Sequence, residues 1–314
     1  MPAGAEHNWQ ALLQGPVAVL LGGDSTERAV SLRTGHAVVA ALKMQNINAV
    51  AVDTGAQQWM QEVLGNYKHA FIALHGCGGE DGRIQGLLDY AGISYTGSGV
   101  MASALAMDKV RTKLLWRGMS LPTPEFKLLE NIDDCQGILD RWRRAVVKPV
   151  HEGSSIGISM VSSPEELLTA FAEAQRYDTA IMAEQYISGA EYTVAIVGEQ
   201  VLPAIRLETD HQFYDYDAKY TSDSTRYFSP CGLSSEREQT LQQLALQAYR
   251  AVGCSGWGRV DVMADEQGDF SLLEVNTVPG MTDHSLVPMA AKAVGVEFDL
   301  LVATILRLSL GKQK

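Results

Sequence analysis

The run Val17-Ala18-Val19-Leu20-Leu21, ended by Gly22-Gly23, constrains this chain more than any other feature. Five consecutive apolar residues with no polar alternation cannot form a strand with one wet face. They predict a strand buried on both sides, the usual situation in a parallel sheet. A helical pattern follows from about Glu27 to Met44, then strand-like runs at Ala49 to Val52 and Ala70 to Leu74. Strands alternating with a helix predict a doubly wound α/β start. In such sheets ligands bind at the carboxyl ends of strands. Gly22-Gly23-Asp24-Ser25 and His75-Gly76-Cys77-Gly78-Gly79 both fall there.

The middle of the chain changes character. Ala145 to Pro149 and Ile158 to Val161 are β runs flanking Glu152-Gly153-Ser154-Ser155-Ile156-Gly157, which predicts a flexible Gly/Ser turn. A helix is expected from Pro164 to about Tyr177. Tyr192 to Val197 and Val201 to Ile205 read as strands joined by Gly198-Glu199-Gln200. Residues 208–230 are polar, contain four tyrosines and lack a period, so they are expected to form a long loop of the kind that serves as a lid. A helix from Ser235 to Val252, a strand at Gly258 to Met263, a turn at Asp265 to Asp269 and a strand from Phe270 to Val275 follow. Phe298 to Leu310 reads as an amphipathic C-terminal helix, too short to span a bilayer.

The net charge of −12 over 314 residues argues against a nucleic-acid or anionic-membrane surface. The opening residues do not look like a signal peptide. Four cysteines without a C-x-x-C pair fit a reduced, cytoplasmic protein.

The chemistry concentrates between Arg259 and Gly280. Asp261 is expected to end one strand, and Glu274 and Asn276 another. Residues two apart on a strand share a face, so Glu274 and Asn276 point together, as do Arg259 and Asp261. Two carboxylates and an amide oxygen suit Mg²⁺ shared with nucleotide phosphates. Arg259, facing the cleft, suits a transferring phosphoryl group or an oxyanion. Each residue alone could be a solvated surface group; the cluster is what points to function.

Other signals leave more room. The glycines around His75 bring backbone N–H groups close to a ligand, though the bland alternative is a tight loop and a core histidine. No Walker A loop occurs. Lys109 and Lys148 suit phosphate, or are surface charges. Asp24-x-x-Glu27 fits either a capping box or a carboxylate for an amino-acid ammonium. Thr96-Gly97-Ser98-Gly99-Val100-Met101-Ala102 contains G-x-G-x-x-A, a weak match to dinucleotide binding that comes late in the first α/β unit.

These blocks, in this order, resemble the D-alanine–D-alanine ligases of the ATP-grasp superfamily over Val17 to Leu310. The carrying motifs are Leu21-Gly22-Gly23 with Glu27, His75-Gly76-x-x-Gly79-Glu80-Asp81-Gly82, Tyr95-Thr96-Gly97-Ser98 and Met107-Asp108-Lys109. They continue through Lys148-Pro149, Glu152 to Gly157, Tyr216-x-x-Lys219-Tyr220, Arg259-x-Asp261, Glu274-Val275-Asn276-Thr277, Pro279 to Thr282 and His284 to Pro288. The resemblance implies an α/β ATP-grasp fold of three domains. These are an N-terminal substrate domain (1–97), a central lid domain (98–182), and a C-terminal domain (183–314) that clamps ATP with the second.

It further implies that Lys109 and Lys148 contact the α/β-phosphates, with Glu152, Ser154 and Ser155 in the loop over them. Glu184 is placed at adenine, Glu191 at ribose and Lys219 at the γ-phosphate. Asp261, Glu274 and Asn276 are to hold two Mg²⁺ ions, or Mn²⁺. Glu27 takes the ammonium of the first D-alanine with Ser154 and Tyr220, and His75 lies near its carboxylate. Ser285 and Leu286 bind the second D-alanine's carboxylate, while the Gly280 amide and Arg259 form the oxyanion site. A homodimer is also implied. The sequence departs from the family pattern at Val150-His151, where Ser-Arg is common, at Gln185, where Lys is common, and at Cys77, where Arg is common. Tyr220, rather than Phe, speaks for a dipeptide over an ester product. A silent ATP-binding protein and a nicotinamide oxidoreductase are the rival classes.

Overall fold

The computed structural model describes residues 9–208, 225–282 and 285–310. The chain opens with β1 (Val17–Leu21), α1 (Arg28–Met44), β2 (Ala49–Asp53), α2 (Trp59–Asn66), β3 (His69–Ile72), α3 (Arg83–Ala91) and β4 (Ser94–Tyr95). These strands form a parallel sheet in the order β2-β1-β3-β4. Every residue of β1 is buried, as its unbroken apolar run requires. α1 packs on β1 and β2. The loops after β1 and β3 emerge side by side at the carboxyl end of the sheet, the position expected for a ligand.

Next come α4 (Val100–Met107), α5 (Lys109–Gly118), β5 (Phe126–Leu129), α6 (Ile138–Trp142), β6 (Ala145–Pro149), β7 (Ser159–Val161), α7 (Pro164–Ala174) and β8 (Ile181–Gln185). β5, β8, β6 and β7 make a small antiparallel sheet. α7 covers it and begins as its sequence demands. Ser163 accepts from the Glu166 amide, Glu166 reaches back to the Ser163 amide, and Pro164 sits at the first helical position.

The remainder is β9 (Ala190–Val197), β10 (Gln200–Val201), β11 (Ile205–Glu208), β12 (Arg226–Phe228), α8 (Ser235–Ala251), β13 (Trp257–Ala264), β14 (Phe270–Asn276), α9 (Leu286–Ala293) and α10 (Phe298–Leu310). Its strands form an antiparallel sheet in the order β12-β11-β9-β13-β14, with β10 on β9. Strand alternation divides this sheet's residues cleanly. Tyr192, Val194, Ile196, Val260, Val262 and Leu272 face α8 in one core. Ala195, Val197, Ile205 and Leu207 face the other way and share a core with the first sheet, α9 and α10. The small sheet keeps a core of its own with α7.

α4 and α5 pack into the core beneath the large sheet. Trp116 of α5 is fully buried and donates its Nε1–H to the Ala248 carbonyl of α8 at 3.1 Å. The 182/183 boundary expected from sequence lies within β8, whose residues pair with both β5 and β6. The expected 208–230 loop is also shorter at its far end. Arg226–Phe228 form β12 because they complete the edge beside Arg206–Glu208.

The G-x-G-x-x-A segment serves packing. A Cβ on Gly256 would lie 3.2 Å from the Gly97 Cα, so these two backbones touch. The glycines allow β4's exit to cross the entry to β13. Among the described residues no helix is long and apolar enough to cross a membrane, and the four cysteines are free.

Candidate active site

A cavity of about 610 Å³ lies between the small sheet and the polar half of the large sheet's inner face. Val146, Ile158, Leu207, Met263 and Leu273 give it apolar walls, while Lys109, Lys148, Glu184, Glu191, Asp261 and Glu274 bring charge. The combination suits a ligand with a flat apolar part and a polyanionic tail.

The acidic floor follows from strand register. Asp261 pairs across the ladder with Glu274, and Arg259 pairs with Asn276. Directly opposed residues share a face, so the four side chains form a square. A register shift between Asp261 and Val262 leaves Leu273 without a directly opposed partner. Asp261 does not end its strand, as the sequence suggested. β13 continues to Ala264 because β9 offers Tyr192, Glu191 and Ala190 as further partners.

The Asp261 carboxylate is held by neighbours on both oxygens. Arg259 donates to both its oxygens at 2.8 Å, Thr193 Oγ1 donates at 2.7 Å, and Asn276 Nδ2 donates at 3.1 Å. Arg259 is therefore held against its own strand and only 11% exposed, not projecting into an open cleft. Glu274 faces Lys109 at 3.6 Å, and Lys109 also donates to the Glu152 carbonyl at 2.6 Å. The donor set fits a hard divalent cation: two carboxylates and an amide, all oxygen. Among the described residues no third carboxylate, His or Cys joins the cluster, so the remaining ligands of such an ion would come from phosphate and water.

The cavity's back wall holds a residue that sequence reasoning passed over. Lys148 Nζ lies 2.5 Å from Glu184 Oε2, and Lys113 Nζ contacts Glu184 Oε1. Lys113 is completely buried and also donates to Thr123 Oγ1 at 2.8 Å and the Leu272 carbonyl at 3.2 Å. Burial pushes Glu184 toward the neutral acid, but the two ammonium groups outweigh it and hold its carboxyl below the usual range. Burial pushes Lys113 down to about 8. The only sequence signal was its spacing of four from Lys109 on one helix face.

The second half of the site lies at the carboxyl ends of β1 and β3. Glu27 is buried and is the N-cap residue of α1, but its side chain makes no capping bond and Asp24 does not cap the helix. The capping-box alternative thus fails, and the Glu27 carboxylate points to the Gly/Ser loop. There Ser154 Oγ donates to Glu27 Oε1. Ser154 and Ser155 both have positive φ, 50° and 59°, which turns the loop back over Glu27. Gly76 leaves room for this carboxylate: a Cβ there would stand 2.7 Å from Glu27 Oε2.

His75 is buried, with Nδ1 2.9 Å from the Val278 carbonyl and Nε2 3.0 Å from Thr34 Oγ1. Burial holds it below the usual imidazole range. Its ring ties the β3 loop to the segment that follows β14. Glu80 does the same, accepting from the Gly76 amide at 3.1 Å and the Val278 amide at 3.3 Å. Burial, and then the charge of Glu27, push Glu80 up to about 8. Gly280 lies beside Ser285: a Cβ there would be 3.0 Å from Ser285 Oγ. That hydroxyl accepts from the Thr282 amide at 2.8 Å, and Ser285 is the N-cap residue of α9, with Leu286 the first helical residue.

The departure at His151 has a local explanation. Its Nδ1 lies 2.8 Å from Asp178 and its Nε2 3.2 Å from Asp108, so it pins the start of the Gly/Ser loop to α5's cap. Lys219 and Tyr220 lie outside the described residues.

Residues 56–98 and 115–307 match the family models described as D-ala D-ala ligase N-terminus and C-terminus. The chain is 57% identical over 298 residues to the D-alanine–D-alanine ligase of Alkalilimnicola ehrlichii, covering 95% of each chain. Its fold matches the crystal structure of the D-alanine–D-alanine ligase from Bacillus anthracis complexed with ATP. The TM-score is 0.83 and the identity 32%, over 94% of this chain and 97% of that one. It also matches the VanG D-Ala:D-Ser ligase from Enterococcus faecalis at a TM-score of 0.82 and 29% identity, over 94% of this chain and all of that one. The fold is thus ATP-grasp, and the glycine-rich segment after β4 needs no nicotinamide nucleotide to explain it. With both family models matched in order, and with relatives of like sequence along nearly its whole length, this chain belongs to the D-alanine–D-alanine ligase family.

Proposed function

We infer that this chain joins two D-alanines into D-alanyl-D-alanine at the expense of ATP, releasing ADP and phosphate for peptidoglycan precursor synthesis. The observation that carries the reading is the two-part site. A cavity with lysines on one wall and an acidic floor opens beside a buried carboxylate, Glu27, clasped by the Ser154 loop.

ATP fits with its base between the apolar walls, near Glu184, its ribose at Glu191 and its phosphates along Lys148 and Lys109. Glu152, Ser154, Ser155 and, from outside the described residues, Lys219 close over the phosphates. Asp261, Glu274 and Asn276 would hold two Mg²⁺ ions, or Mn²⁺, which would neutralise phosphate charge there. Glu27 takes the first D-alanine's ammonium, assisted by Ser154 and Tyr220, with His75 shaping the pocket around its carboxylate. The second D-alanine's carboxylate sits at the N-terminus of α9, on Ser285 and the Leu286 amide, where unpaired N–H groups favour an anion.

The first carboxylate attacks the γ-phosphorus and ADP leaves. The second D-alanine's neutral amine then attacks the acyl phosphate carbonyl. Arg259 and the Gly280 amide stabilise the oxyanion, and phosphate departs. The protein acts by position and charge, with no covalent nucleophile of its own. The three units proposed from sequence (1–97, 98–182, 183–314), with the second boundary moved past β8, would close around ATP and keep water from the acyl phosphate. We place the enzyme in the cytoplasm, as a homodimer.

Phosphate release coupled to product analysis tests this reading, with D-alanine, L-alanine, D-serine and D-lactate offered in turn and in pairs. D-Alanine alone should support turnover and give the dipeptide. Preferred use of D-serine or D-lactate as the second substrate would assign the chain to a different specificity within the family. No D-alanine-dependent phosphate release would refute the ligase assignment.

A further inference from the structure

Two lysines converge on one buried carboxylate behind the nucleotide cavity, and only one of them reaches the cavity. Lys148 and Glu184 line it; Lys113 has no exposed surface. A single lysine would already neutralise Glu184. The second leaves the group with a net positive charge, delivered on the open side by Lys148. Lys113 is ion-paired with Glu184 and donates to Thr123 Oγ1 and the Leu272 carbonyl, so its buried ammonium has three polar partners. Those partners also belong to two different bodies. Glu184 and Lys148 stand on β8 and β6 of the small sheet, while Thr123 packs on Leu272 of the large sheet, and α5 is anchored to α8 through Trp116.

We propose that Lys113 is a positioning residue for the nucleotide. It holds Glu184 from behind, so that the Lys148 ammonium, which also touches Glu184, can turn to phosphate without leaving the buried carboxylate unpaired, and it fastens the small sheet to the floor of the site. The proposal rests on the reading of this cavity as the ATP site. Without Lys113, Glu184 competes with the polyphosphate for Lys148.

The test is equilibrium ATP binding, with Mg²⁺ present and no D-alanine, on a set of full-length variants. Lys113→Gln keeps hydrogen-bonding capacity without the charge and should weaken ATP about 10- to 100-fold. Lys113→Arg keeps the charge and should lose less than about tenfold. Because Glu184 also stands at the adenine, Lys113→Gln/Glu184→Gln is compared with Glu184→Gln alone: once the competing carboxylate is gone, losing Lys113 should weaken ATP less than about threefold. That non-additivity separates the proposal from a merely structural lysine, whose loss costs the same in either background. In steady state, Lys113→Gln should raise KM for ATP more than KM for D-alanine. If Lys113→Gln does not fold, the pair Glu184→Gln and Lys113→Gln/Glu184→Gln decides alone. A loss of more than about threefold between those two would then overturn the proposal, and a smaller one would support it. Unchanged ATP affinity in Lys113→Gln, or an equal loss with and without the Glu184 carboxylate, overturns the inference while leaving the ligase reading intact. Failure of the unaltered protein to bind ATP overturns both.

Discussion

Replacing Arg259 by Met separates catalysis from architecture at the centre of the site. The guanidinium makes two 2.8 Å bonds to Asp261, and the pair is nearly buried, with side chains 11% and 9% exposed. Methionine leaves the Asp261 carboxylate with only the neutral donors Thr193 and Asn276 among its bonds described above. Breaking a buried ion pair from one side costs about 3–5 kcal/mol. Against a typical stability of about 5–15 kcal/mol, the variant stays folded at 25 °C but with a lower urea midpoint. Catalysis falls for a separate reason. Loss of one oxyanion donor costs about 10²–10³ in kcat, or about 2.7–4 kcal/mol of transition-state stabilisation. The assay is D-alanine-dependent phosphate release at saturating substrates, per folded molecule, alongside urea unfolding followed by circular dichroism. A kcat within tenfold of the unaltered protein would refute the oxyanion role. An unchanged midpoint would refute the energetic weight given to the Arg259–Asp261 pair.

Asp261→Asn and Glu274→Gln should each reduce kcat by at least about 10², because each removes a negative charge from an all-oxygen cation site. Near-normal turnover at saturating Mg²⁺ in either variant would remove that residue from the metal assignment. Glu80 supplies a pH signature, since burial and then Glu27 raise its carboxyl to about 8 from the ordinary carboxyl value of 4.5. Between those values the folded protein holds a proton that the unfolded chain has lost. This group therefore makes stability fall with rising pH across that window, by up to about 1.4 kcal/mol per unit. Glu80→Gln should remove that slope, so its stability relative to the unaltered protein rises from pH 5 to 8 and levels off above. Parallel stability profiles for the two proteins would show that Glu80 does not titrate in this window.

Local pattern carried the sequence a long way because several elements here need only their own residues. Val17–Leu21 could be read as a buried strand from its unbroken apolar run, and Phe298–Leu310 as a terminal helix from its period. The Arg259/Asp261 and Glu274/Asn276 pairs could be read as sharing faces because strand alternation is a local rule. Register is not local. That Asp261 stands opposite Glu274 and Arg259 opposite Asn276 depends on a shift after Asp261 and on β9, a strand more than sixty residues away in sequence. β12 was missed for the same reason: Arg226–Phe228 has no apolar alternation and becomes a strand only because β11 presents an open edge. Glu27 shows how close the local contest was. Its spacing from Asp24 fits a capping box, and only the arrival of Ser154 from a distant loop shows where its carboxylate points. Lys113 was the least legible. Nothing beside it in sequence distinguishes it from a surface lysine on a charged helix. Its burial is decided by Trp116, which draws α5 against α8, and its charge is tolerated because Glu184, Thr123 and Leu272 converge on it from three other segments. The sequence by itself determined which chemical groups the site contains. Tertiary structure decided which of them pair, because a buried charge is stable only where the fold brings its partners together.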